Sequence, residues 1–137
     1  MAYFNLYANF FVFCQKTAAA VALVWAFTPT RFYFLFLGIV QAVSWWGAAF
    51  IYRHLAGDIL VLHYTADFGI DLIGPPLRIF IFPILSLAVF LLNLLILLPL
   101  TRQRDFPVFA HLLLAGALNF AVFINLALFF LYLINFR

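Results

Sequence analysis

His63, Asp67 and Asp71 bring one imidazole and two carboxylates together at intervals of four residues. Side chains of these types ligate first-row metals. The pattern is nevertheless a weak metal signal. A His-Glu-x-x-His helix fixes two imidazoles on one face, whereas this set supplies a single imidazole in a segment rich in turn residues. Hydrogen bonding is the other chemistry open to it. Aspartates close turns onto nearby backbone N–H groups, and a histidine can bond to them or to the main chain. Turn capping is the favoured expectation; no metal site and no cofactor are expected. Any binding surface in this region would draw on His63, Tyr64, Asp67, Gly69, Asp71 and Gly74.

Catalysis has little support elsewhere. The chain contains no Gly-x-Ser-x-Gly, no phosphate-cradling glycine loop and no Glu. Ser44 and Ser86 lie in apolar runs with no base near them in sequence. No enzymatic function is expected. Cys14 is the only cysteine, so an intrachain disulfide and a cysteine-based metal cluster are both excluded.

The elements that must position this segment are apolar. Of 137 residues, 69% are hydrophobic and 8% are charged. Soluble domains carry roughly 25% charged residues, and a core of this size could not remove so much apolar surface from water. Three runs, residues 32–51, 79–100 and 108–135, each reach the about 20 residues that a bilayer-crossing helix needs. They contain no acid, and His111 is their one basic side chain. The expected fold is therefore all-α, a polytopic transmembrane helix bundle in a single membrane domain, 1–137. Its loop, 52–78, is expected to be structured and to lie outside the membrane.

The N-terminal segment, 2–28, is the expected fourth span. It carries Lys16 near its middle. A central lysine costs about 2.5–3.5 kcal/mol on insertion, and the surrounding Phe, Leu and Val residues return about 0.3–0.6 kcal/mol each. The two nearly cancel, and a snorkelling lysine is expected. No basic stretch or small-x-small site marks a cleaved signal peptide. Thr28-Pro29-Thr30-Arg31 reads as a break whose threonines cap the next helix. Gly38, Ala42 and Gly47 mark a face that another helix can approach. Asn93, Asn119 and Asn125 lie inside spans and are expected to hydrogen-bond between helices.

The loop is not a generic linker. Residues 59–64 are β-branched and aromatic enough for a short strand, and Gly69 and Gly74-Pro75-Pro76 are turn signals. Leu62-His63-Tyr64 followed by Phe68-Gly69-Ile70-Asp71-Leu72-Ile73-Gly74 resembles the signature loop of small uncharacterised membrane proteins from candidate-phylum bacteria. Those read Leu-His-Tyr-Asn, then Phe-Gly-Ile-Asp, then Ile-Gly. The loop is more distantly similar to the His-x-Asn…Gly-x-x-Asp loop of the uncharacterised membrane domain found beside Sdp-type immunity proteins. The resemblance runs from about Trp45 to the C-terminus and implies the order helix, loop, helix, short loop, helix. Thr65 replaces the family's usual Asn, which weakens any role needing a carboxamide there.

Net charge is +3 and the charges are scattered singly, so nucleic acid is not an expected partner. The lipid bilayer is, together with a homo-oligomeric or other membrane-protein partner. Arg102 and Arg104 in a short loop place residues 101–107 in the cytoplasm and 52–78 outside, most naturally at a bacterial cytoplasmic membrane. Three functions compete. The chain is an accessory envelope protein that binds a partner, lipid or peptide through the loop. Alternatively it is a subunit of a small transporter or channel, or an immunity or sensing protein for a membrane-active peptide. A hydrated cavity shared by the three asparagines would favour transport.

Overall fold

The described residues form α1 (Ala2–Ala26), α2 (Thr28–His54), β1 (Leu60–Thr65), β2 (Gly69–Gly74), a 3-10 turn (Pro76–Phe80), α3 (Ile81–Leu100) and α4 (Phe106–Asn135). This computed structural model describes residues 2–55, 59–65 and 69–136, with backbone only at 2–6, 63–65 and 69–71. Four described helices are long and apolar enough to cross a membrane. Phe36, Leu92 and Phe123 on three of them are more than half exposed. Large apolar side chains pointing outward from every helix need hydrocarbon around them.

Helix α4 is the central member. Its buried residues Ala110, Leu114, Ala117, Ala121, Ile124, Leu128 and Leu131 recur at alternating steps of four and three. That spacing keeps one seam facing its neighbours, as in left-handed bundle packing. The alanines let α2 and α3 approach closely. On α2 the buried positions beyond its first turn are Leu37, Ser44, Ala48 and Ile51. This corrects the expected contact face. Ala42 is exposed, and a Cβ placed at Gly38 or Gly47 would meet nothing within 4 Å. Small residues permit close approach without requiring it; the seam used instead is the one that faces α4.

The break between α1 and α2 is shorter than expected. Phe27 alone leaves the helical region, with φ −76° and ψ 105°, and Thr28-Pro29-Thr30-Arg31 forms the first turn of α2. Proline suits that turn because its φ is preset and its missing N–H would have no intrahelical partner there. No threonine side chain caps the helix. Thr30 is fully buried and its Oγ1 has no partner among the described residues. Arg31 Nε donates to the carbonyl of Trp25 at 2.8 Å, and its guanidinium lies 5.7 Å from the Trp25 ring centre. One side chain thus satisfies one carbonyl at the end of α1 and ties it to the first turn of α2.

Two apolar clusters mark the ends of the bundle. Ala48, Ile51, Ile124, Leu128 and Leu131 pack with Leu60 of β1 and with Ile79 at one end. Val24 of α1 packs with Leu97, Ala110 and Leu114 at the other. Gln41, midway along α2, donates from Nε2 to the carbonyl of Pro83 on α3 at 2.7 Å, tying the middle of α2 to the start of α3.

Candidate functional site

The segment between α2 and α3 is a two-stranded antiparallel hairpin. A strand near 59–64 was expected; a second one was not. Gly69 and Gly74 read as turn residues, yet they begin and end β2. Pairing runs Leu60 with Gly74, Val61 with Ile73, His63 with Leu72, Tyr64 with Ile70 and Thr65 with Gly69, with irregularities either side of His63. Leu60 is buried completely among helix residues and Leu62 packs against the same cluster. The strand's two-residue period therefore points one face at the bundle. Leu72 and Ile73 on the partner strand are about half exposed, at 49% and 55%.

Asn135, in the last turn of α4, holds the hairpin. Its Nδ2 donates to the carbonyl of Val61 at 3.0 Å, and the N–H of Val61 donates to Oδ1 at 2.9 Å. The same Nδ2 donates back to Leu131 O at 2.9 Å, which sets the side-chain angle. A residue in an antiparallel ladder turns both backbone groups toward its partner or both away. Val61 turns both toward Asn135. Its partner Ile73 therefore turns both away from β1, along the outer edge of β2. No third strand among the described residues pairs with that edge.

Gly74 closes the hairpin onto the following turn. A Cβ there would lie 2.9 Å from Arg78 Cδ and 2.9 Å from Leu62 Cδ1. Of the other proposed binding residues, His63 and Tyr64 lie on the backbone of β1, and Gly69 and Asp71 on β2. Asp67 and the side chains of His63, Tyr64 and Asp71 lie outside the described residues. Among the described residues no group of three His, Cys, Asp or Glu side chains could hold a metal.

The asparagines do not converge. Asn125 Nδ2 donates to Ser44 Oγ at 2.7 Å and to Ala121 O at 2.9 Å, with Val40 O at 3.3 Å, so it knits α4 to α2. Ser44 donates in turn to Val40 O at 3.0 Å. Asn119 is exposed and bonds within α4, to Ala115 O at 3.0 Å. Asn93 is half-buried on α3, with no hydrogen bond to another described side chain. An open groove of about 350 Å³ runs beside Asn125 between Trp46, Phe50, Phe129 and Tyr132. Its walls are apolar, and neither Asn93 nor Asn119 reaches it.

His111 lies at the opposite end of the bundle. Its Nδ1 is 3.1 Å from the Tyr33 hydroxyl, and its ring stands edge-on to Phe27 and Tyr33, each at 5.7 Å. Sequence reasoning passed over Asn135, Gln41 and Tyr33 as tethers. Only the position of Asn135, the last amide before the end of an overlong span, was a usable signal.

The fold and its cap define a multi-pass helical membrane protein with a β-hairpin clasped to the end of its central helix. Comparison with protein families, curated proteins and solved structures found no match.

Proposed function

We propose that this chain is a non-enzymatic accessory protein of a bacterial cytoplasmic membrane, and that it docks an extended segment of a membrane-protein partner along β2. The observation that carries this reading is the paired bond from Asn135 to Val61. It anchors one edge of the hairpin and turns the Ile73 N–H and carbonyl out along the other. A strand whose outer edge pairs with no other described strand, with apolar Leu72 and Ile73 beside it, is a template for strand addition. Main-chain bonds would supply affinity, and the exposed side chains would supply selectivity. Under the immunity reading, which rests on the loop resemblance, the added strand is a membrane-active peptide. The transport reading draws nothing from the asparagines: one ties two helices, one bonds within its own helix, and no polar path among the described residues joins them.

Ile73→Pro tests this directly. The lost N–H faces away from β1, so the substitution removes an outer-edge donor and spares the ladder. Full-length protein with a photo-crosslinking residue at Leu72 should give one discrete protein adduct in its native membrane. Ile73→Pro should abolish that adduct while Leu60 and Leu62 stay protected. An unchanged adduct, or adducts to lipid alone, would overturn the reading.

A further inference from the structure

Lys16 is placed where its charge is not costly. An apolar crevice of about 510 Å³ lies between α1 and the last turn of α3, with Phe13, Ala20, Leu95 and Leu98 among its walls and both Lys16 and Arg102 lining it. Arg102 follows the end of α3, so Lys16 stands beside the bundle's terminus and not at mid-depth. From Lys16 to the end of α1 the helix runs about 15 Å at 1.5 Å per residue, roughly half a hydrocarbon core of about 30 Å. This part of α1 crosses the end of the bundle, with Val24 buried in the cluster that holds Leu97 and Leu114.

We propose that the crevice is a binding site for an anionic phospholipid, with Lys16 and Arg102 holding the phosphate and the apolar walls taking the upper acyl chain. The lining residues include two cations and no acid. Two threonines also line it, but neither offers a proton. Thr17 Oγ1 donates to Phe13 O at 2.9 Å, and Thr101 Oγ1 donates to Leu98 O at 2.8 Å. The anion is therefore held by the ammonium and guanidinium alone, three and five N–H donors, one set from within α1 and the other from just past the end of α3. Basic pockets between membrane helices on the cytoplasmic side suit such headgroups. A free phosphate would leave the apolar walls uncovered, so a lipid is the occupant that uses the whole crevice. The site lies at the opposite end of the bundle from the hairpin and does not depend on its partner.

Native mass spectrometry of full-length protein, released from bilayers of equal parts phosphatidylglycerol and phosphatidylcholine, reads this out. The wild type should retain phosphatidylglycerol selectively. The double variant Lys16→Ala/Arg102→Ala should lose about thirtyfold of that selectivity, at roughly a factor of five per basic residue near the surface. Arg104→Ala should change little. The charge-keeping variant Lys16→Arg/Arg102→Lys should preserve selectivity, which separates loss of charge from misfolding. Equal retention of both lipids by the wild type would sink the proposal, as would unchanged selectivity in the double alanine variant. Displacement of the lipid by millimolar inorganic phosphate would also overturn it, because the anion alone would then be the ligand.

Discussion

Asn135 stands in for a strand at the edge of β1, giving and taking one hydrogen bond each with Val61, at 3.0 and 2.9 Å. A carboxamide has the same donor and acceptor pair as a peptide group, so α4 caps the hairpin without a third strand. Asn135→Ala should leave the Val61 N–H and carbonyl without these bonds at a partly buried position, costing about 1–3 kcal/mol. Asn135→Asp should also destabilise, because a carboxylate accepts from the N–H but cannot donate to the carbonyl. Hydrogen exchange at Val61 should quicken in both variants, while α2 and the middle of α4 stay protected. Unchanged exchange at Val61 would show that Leu60 packing alone holds the cap.

The buried serines on α2 and α3 make opposite predictions. Ser44 accepts from Asn125 at 2.7 Å and donates to Val40 O. Ser44→Ala should cost about 0.5–1.5 kcal/mol, the net worth of an ordinary hydrogen bond. Ser86 Oγ is buried with no partner among the described residues. Ser86→Ala should therefore be neutral or stabilising. Thermal unfolding in detergent compares the two; equal losses would mean that Ser86 has a bonding partner in the membrane.

Gly74 is fixed by contact and not by composition. Its absent Cβ leaves room for Leu62 and Arg78, both of which would lie at 2.9 Å. Gly74→Ala should shift these side chains and loosen the hairpin, and because the atoms met belong to flexible side chains the loss should stay below the core-overpacking cost of about 1–3 kcal/mol. Pairing Gly74→Ala with Leu62→Ala should recover part of the loss. No recovery in that double variant would place the strain at Arg78.

The charged short loop after α3 makes a prediction about orientation. With residues 101–107 cytoplasmic, the Lys16 and Arg102 crevice faces the leaflet richest in anionic lipid. In a Cys14→Ala background, an impermeant thiol reagent on intact cells should label Ile59→Cys and spare Thr101→Cys. The reverse pattern would invert the protein and put the lipid site in the outer leaflet.

The sequence by itself determined the solvent and the number of long helices. Apolar runs of bilayer length, with almost no charge, can only be stable as helices in hydrocarbon, since backbone groups there must bond within the segment. The strand at 60–65 was legible from its β-branched and aromatic run, and the connection between α3 and α4 from the short charged loop that carries Arg102 and Arg104. What was not legible is which face of each helix packs. Helices apolar on every side carry no amphipathic mark, so Ala110 to Leu131 as a seam, and Leu37 to Ile51 opposite it, emerged only when α4 was set against α2 and α3. Sequence spacing also placed Lys16 in mid-helix and grouped three asparagines. Tertiary structure put Lys16 beside Arg102 and separated the asparagines. The second strand and its clasp were decided there too. Asn135 and Val61 are 74 residues apart, and a bond at that range is set by where two elements end in space, which no local pattern encodes.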